Sequence, residues 1–201
     1  MRVLSPHGAD PSIELIEPVI PRIILGFEAF RDTNLIIEAS PVHEVGWLGT
    51  VEKLDSSIYR INEVFILAQE VSGTHCEFTP TGLAEFYQGF AATVEGRKQL
   101  GSLLFWGHLH PGNMVDPSGQ DEEQMVQFNH NECFIRGIFT RNGQCKFTFF
   151  DYKRGIKIVD CPWTVDFGNA ARREEIRAEL VEKVRTPDTT RKRRHGSLRK
   201  T

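Results

Sequence analysis

The chain has 201 residues, of which 40% are hydrophobic and 25% charged, and its formal net charge is −3. This composition is typical of one globular domain that buries a core without disulfides. No apolar run is long enough to span a bilayer, and the N-terminus lacks the apolar segment of a secretion signal. We therefore expect a cytoplasmic protein in which the cysteines, which lack the C-x-x-C spacing of a zinc ribbon, are reduced.

The first half of the chain predicts several short elements. A weak edge strand is expected at 13–16, and a first helix at 20–30 with Pro21 near its first turn, followed after a break by helical residues 34–39. A glycine-containing strand is predicted at 43–51, and a buried strand around 64–68 within the segment 58–71. The spacing of apolar residues then predicts a helix over 79–94.

The second half predicts a buried strand at 101–110 and a short acidic helix at 121–128. Asn142-Gly143 predicts a hairpin of strands 133–140 and 144–152, with another strand at 156–159 and a charged helix at 169–184. This order predicts an α/β fold, in which a mixed sheet is flanked by helices. We expect a single domain over 1–186 and a basic, disordered tail over 187–201.

A histidine pair marks the end of the strand predicted at 101–110. Residues i and i+2 of a strand project from the same face, so His108 and His110 can direct both imidazoles at one point. Asp121, at the start of the acidic helix, could add a carboxylate there. Two imidazoles and one carboxylate suit a catalytic zinc ion, which keeps a fourth position for water. An H-x-H pair alone is common, however, and a lone strand histidine is usually a surface or hydrogen-bonded core residue.

Ser118 and Asp121 extend this pair to the pattern H-x-H-x7-S-x2-D. The pattern resembles the signature of the JAMM (MPN-plus) zinc metalloprotease family, and the chain looks like a compact prokaryotic or phage-type member. That family also has an upstream glutamate beside glycines, and Glu44 in the stretch E-V-G-W-L-G matches it. The resemblance covers residues 20–165 and implies the family's α-β-α layered sheet. It implies zinc ligation by His108, His110 and Asp121, proton transfer by Glu44, and an oxyanion hydrogen bond from Ser118.

The resemblance also implies a function. Such a protein would be a zinc-dependent isopeptidase or peptidase that cleaves after the C-terminal glycine of a ubiquitin-like protein, in deconjugation or precursor processing. Its partners would be a ubiquitin-like protein or its conjugate, together with E1- or E2-like proteins of the same operon. The alternatives are a general metallopeptidase that trims a precursor protein and a non-catalytic MPN scaffold that docks partners.

The remaining candidate residues have simpler interpretations. His43, His75 and His130 are expected to be ordinary polar histidines, and Asp116 competes with Asp121 but lies off the family spacing. Trp106 is expected to pack behind the site. The basic run 191–194 could contact phosphates, but it contains no interleaved aromatic residue. We therefore expect a solvated or partner-docking tail, and neither a nucleic-acid nor a membrane partner.

Overall fold

The computed structural model describes residues 19–40, 43–72 and 75–183, so the strand predicted at 13–16 and the tail at 187–201 lie outside the described residues. Within these described residues ten strands and five helices follow one another, with a 3-10 turn at Leu100–Ser102. In chain order they are β1 (Arg22–Gly26), α1 (Phe27–Ala39), β2 (Val45–Lys53), β3 (Ile58–Phe65), β4 (Gln69–Ser72), β5 (His75–Phe78), α2 (Pro80–Ala92), α3 (Val94–Gln99), β6 (Leu103–His110), α4 (Gly119–Val126), β7 (Cys133–Thr140), β8 (Cys145–Asp151), β9 (Ile156–Val159), β10 (Trp163–Asp166) and α5 (Ala170–Lys183).

Eight strands form one mixed sheet in the order β10-β1-β3-β2-β6-β7-β8-β9, and β4 and β5 form a separate hairpin. Strand β1 runs parallel to β10 and β3, and β6 runs parallel to β7. The other neighbours in the large sheet are antiparallel. The prediction of a mixed sheet flanked by helices is therefore confirmed. No helix in the described part of the chain is both long and apolar enough to cross a membrane.

The large sheet is strongly curled. A flat sheet of eight strands would place its edges about 34 Å apart at the usual strand spacing. The edge strands β9 and β10 are nevertheless joined by residues 160–162 alone, a connection that reaches about 14 Å when extended. The sheet therefore bends into a half-barrel. Trp163 of one edge consequently meets Phe147 of β8, with 5.8 Å between the ring centroids.

Two hydrophobic clusters cover the two faces of this sheet. Residues of α1 pack on one face in a cluster that comprises Ile23, Leu25, Ala29, Ile36, Trp47, Val51, Tyr59, Ile61, Phe105, Leu109, Ile135, Phe139, Phe147, Phe149 and Cys161. On the other face α2 and α4 cover a second cluster, with buried members Leu48, Leu67, Cys76, Phe78, Trp106, Met125, Phe128, Phe134 and Phe150. Strand β6 contributes to both clusters, and this determines where its histidines lie.

The helix predicted over 20–30 is wrong in its first part. Residues Arg22–Gly26 form β1, with Ile23 and Leu25 buried, because this β-branched run fills the sheet between β10 and β3. Helix α1 then begins at Phe27 and continues without the expected break to Ala39. The buried strand expected around 64–68 also ends early, since β3 stops at Phe65 and Ile66 is 61% exposed. Strand β10 was not predicted.

Candidate metal centre

Strand alternation in β6 directs the two histidines away from the α1 side of the sheet. Phe105 and Leu109 belong to the cluster under α1, and Trp106 belongs to the cluster on the opposite face. His108 and His110 follow Trp106 at even spacing, so all three side chains project from the same face. The ring of Trp106 lies 4.9 Å from that of His108, which confirms the expected packing of this tryptophan behind the site.

Helix α4 lies in the connection between the parallel strands β6 and β7, which must cross over one face of the sheet. Ser118 is the N-cap of this helix, and its side-chain oxygen accepts a hydrogen bond of 3.2 Å from the Asp121 N–H. In return the Ser118 N–H donates to Asp121 Oδ2 over 2.6 Å. This reciprocal capping box fixes the Asp121 carboxylate at the start of α4, facing the end of β6.

Glu44 precedes β2 at a point where that strand still pairs with β6 but no longer with β3. Strand β3 pairs with β2 only as far as Leu48, so the main-chain groups of Gly46 need another partner. The side-chain amide of Gln69 supplies it: the Gly46 N–H donates to Gln69 Oε1 over 2.8 Å, and Gln69 Nε2 donates to the Gly46 carbonyl over 2.9 Å. The Glu44 N–H donates to the carbonyl of Ser72. We call this arrangement the Gln69 clasp; it holds the segment that carries Glu44.

These elements bring all the sequence-predicted metal and base residues together. His108 Nε2 lies 3.1 Å from Glu44 Oε2, and His108 Nδ1 lies 2.9 Å from Asp121 Oδ1. His110 Nε2 lies 3.3 Å from Asp121 Oδ2. The side chains of His108 and Asp121 are each 3% exposed, and those of His110 and Glu44 are 11% and 14% exposed, so the cluster is largely buried and reaches solvent at His110 and Glu44.

The hydrogen bonds of the cluster leave donor atoms to which a cation could bind. The carbonyl of Met114 can only accept, so His110 Nδ1 donates to it over 2.9 Å and, in a neutral imidazole, Nε2 is left with a lone pair facing Asp121. His108 Nδ1 is buried and, among the described residues, forms no well-aligned hydrogen bond despite its short distance to Asp121. Two acceptors facing each other are stabilised by a positive ion between them, and nitrogen and carboxylate donors suit a divalent transition metal.

The charges of the cluster reinforce this conclusion. Burial alone lowers the pKa of His108, but the adjacent carboxylates of Asp121 and Glu44 raise that pKa above its ordinary value. Burial likewise raises the pKa of Asp121, yet the neighbouring imidazoles of His108 and His110 hold it well below its usual range. The carboxylate of Asp121 is therefore ionised at neutral pH and available as a ligand.

Two different sets of three ligands are compatible with this geometry. The donor atoms of Glu44, His108 and His110 all lie within 4.8 Å of one another. Asp121, which the sequence favours as the third ligand, contacts both imidazoles. The prediction that Asp121 binds the metal and Glu44 acts as the base thus stays a prediction. The structure adds the alternative in which Glu44 binds the metal and Asp121 acts as the base.

Of the other candidate residues, Asp116, His75 and His130 have partners outside this cluster, whereas Ser118 is bonded to Asp121. The exposed carboxylate of Asp116 pairs with Lys146, and His75 pairs with Glu77 at 3.5 Å on the surface. His130 contacts the carbonyl of Gln127 at an exposed position. Ser118 is exposed, and its hydroxyl oxygen already accepts from Asp121, so its own hydrogen is free to donate. The capping role and the predicted oxyanion role of Ser118 are therefore compatible.

Two residues that the sequence reasoning missed support the cluster. Gln69 holds the main chain of Gly46, and no sequence signal distinguishes this glutamine from others. Arg136 lies in the strand sequence C-F-I-R-G-I-F-T, and its side chain is 1% exposed beneath α4. A lone charge inside an apolar strand is a signal that could have been recognised, because buried charges require partners.

Comparisons with known proteins define the fold and no more. No model of a protein family matches the chain, and no curated protein matches it. Among solved structures it is similar to the solution structure of a Desulfitobacterium hafniense protein from a structural genomics consortium, with a TM-score of 0.51 and 15% sequence identity. The similarity covers 72% of this chain and 92% of that one. At this identity the relationship concerns the fold alone, and the function has to be inferred from the site.

Proposed function

We propose that the protein is a zinc-dependent metallopeptidase of the JAMM type. The observation that carries the proposal is the convergence of Glu44, His108, His110 and Asp121 from three separate parts of the chain into one buried cluster. The H-x-H-x7-S-x2-D pattern was derived from spacing alone, and its members meet in space with Ser118 at the same helix end. A chance pattern gives no reason for such convergence.

The residues of the cluster can divide the work of amide hydrolysis. His108, His110 and Asp121 would hold the zinc ion, which lowers the pKa of water to about 7 and polarises a carbonyl group. Glu44 has the greatest exposure of the carboxylates in the cluster, and it can take a proton from water and deliver it to the leaving amine. The free hydrogen of the Ser118 hydroxyl can donate to the oxygen that becomes negative during the reaction.

The substrate that we propose is a ubiquitin-like protein, cut after its C-terminal glycine from a conjugate or a precursor. This part of the proposal is supported by the family resemblance of the five motif residues. E1- or E2-like proteins of the same operon would then act in the same system. A scaffold without catalysis would not need a complete set of ligands and a base in one buried cluster, so we favour an enzyme.

Metal analysis of two matched variants tests the ligand set. If Asp121 is a ligand and Glu44 the base, Asp121→Asn loses zinc, whereas Glu44→Gln retains about one zinc per chain and loses hydrolysis. Zinc loss in Glu44→Gln with retention in Asp121→Asn would show the reverse, with Glu44 as the ligand and Asp121 as the base. His108→Ala is the common control, because His108 belongs to both ligand sets. Full zinc content in His108→Ala would contradict the metal centre.

A cleavage assay tests the substrate. A ubiquitin-like protein fused through its C-terminal glycine to a second protein is incubated with the wild type and with Glu44→Gln, and the cut is located by mass spectrometry. We expect a single cut after the glycine by the wild type, and none by Glu44→Gln. Scattered cuts in an unfolded control protein, with none at the glycine, would contradict the proposed substrate. They would indicate a general peptidase that trims unfolded proteins.

A further inference from the structure

Arg136 is a buried charge that the catalytic proposal leaves without a role. Its side chain is 1% exposed on β7, where it lies between Trp106 of β6 and Thr148 of β8 in the strand register. The guanidinium lies over the ring of Phe150, with 5.3 Å between its carbon and the ring centroid. Burial of such a group is costly, so its contacts should explain why this position carries an arginine.

The guanidinium connects β7 to the first turn of α4. Arg136 Nη1 donates to the main-chain carbonyl of Asp121 over 3.3 Å, and Nη2 donates to Glu122 Oε1 over 2.9 Å. Strand β7 is the parallel neighbour of β6, which carries His108 and His110. Arg136 therefore joins the sheet that carries the two imidazoles to the residue that carries the carboxylate.

Helix α4 needs this connection because it is short. It has eight residues, and isolated helices shorter than about 12 residues are marginal in water. Its later turns are held by buried Met125, whose carbonyl accepts a hydrogen bond of 2.7 Å from the Tyr152 hydroxyl. Beyond the capping box, the first turn is held by Arg136. The position of the Asp121 carboxylate relative to His108 and His110 thus depends on this guanidinium.

Fold stability alone does not account for a buried arginine here. Replacing a buried ion pair by apolar side chains of similar volume is often neutral or stabilising. Glu122 is 39% exposed and also binds Lys157 at 2.7 Å, so it would keep a partner without Arg136. We propose that Arg136 is a positioning residue of the metal centre, which sets the place from which α4 presents the Asp121 carboxylate. The inference rests on the proposed metal centre and is independent of the substrate.

The test compares zinc affinity in variants of the full-length protein, by competition with a chromogenic chelator. Arg136→Met keeps an apolar stem of similar length and should weaken zinc binding about 10–100-fold, the usual effect of losing an outer partner of a ligand. Lys157→Met is the matched control, since Lys157 shares Glu122 and the Phe150 ring but has no bond to Asp121. Its zinc affinity should equal that of the wild type.

Thermal unfolding separates positioning from a purely structural role. The Tm with chelator present measures any effect of Arg136→Met on fold stability, and the rise in Tm on adding zinc should be smaller in this variant than in the wild type. Wild-type zinc affinity in Arg136→Met would overturn the role of Arg136 and leave the proposed metal centre intact. If that variant does not fold, wild-type affinity in Arg136→Lys would overturn it, because one ammonium group cannot hold both acceptors in the same geometry. A wild-type protein that binds no zinc would overturn the proposed centre and this inference together.

Discussion

Removal of the Gln69 clasp should destabilise the protein by an amount that the structure allows us to estimate. In Gln69→Ala the buried Gly46 loses both of its bonds to the side-chain amide. A neutral hydrogen bond contributes about 1 kcal/mol, and a buried group left unsatisfied costs about 1–3 kcal/mol. We therefore expect a loss of about 2–4 kcal/mol in the free energy of unfolding, or about 4–16 °C in Tm for a domain of this size.

Denaturant unfolding of the zinc-free protein measures this loss. Gln69→Glu keeps an acceptor for the Gly46 N–H but places a second acceptor opposite the Gly46 carbonyl, so it should also be destabilised. Gln88→Ala, at an exposed position of α2, is the control and should change stability by less than about 0.5 kcal/mol. If Gln69→Ala were as stable as that control, the clasp would contribute nothing and the reasoning would be refuted. At temperatures where both variants are folded, Gln69→Ala should also hydrolyse substrate more slowly, because Glu44 lies two residues from Gly46.

Three further outcomes are expected. A Cβ on Gly107 would lie 2.1 Å from Trp47 Nε1, so Gly107→Ala should lose about 1–3 kcal/mol by denaturant unfolding; Gly112→Ala, with nothing within 4 Å of the added atom, should not. Burial raises the pKa of Cys145 to about 12, so its alkylation should be slow at pH 8 and accelerate about tenfold per pH unit; rapid labelling at pH 8 in mass spectra would contradict this. Deletion of 170–201 removes a helix whose described side chains are almost all exposed, so Tm should shift by only a few degrees.

The sequence predicted which side chains come together at the end of β6, and it predicted the mixed sheet but not all of its strands. The i, i+2 rule was sufficient to place His108 and His110 on one face, and the acidic helix correctly brought Asp121 to them. A helix was predicted over 20–30 because Pro21 suits a first helical turn and the apolar residues that follow fit helical spacing moderately. Only pairing with β10 and β3, which lie far away in sequence, makes Arg22–Gly26 a strand. The clasp could not be predicted, since Gln69 acts on Gly46 across 23 positions and only because β3 ends at Phe65.

The alternation of side chains along β6 couples the register of this strand to the position of the two histidines. Phe105 and Leu109 point into one hydrophobic cluster, and the imidazoles emerge on the opposite face beside Trp106. A slip of this strand by one residue would exchange the two faces, moving both imidazoles into the apolar cluster under α1 and placing Phe105 and Leu109 on the face of Asp121. A shifted register of β6 therefore loses the packing of Phe105 and Leu109 under α1. The register that packs Phe105 and Leu109 under α1 therefore also directs both imidazoles to the face on which Asp121 lies.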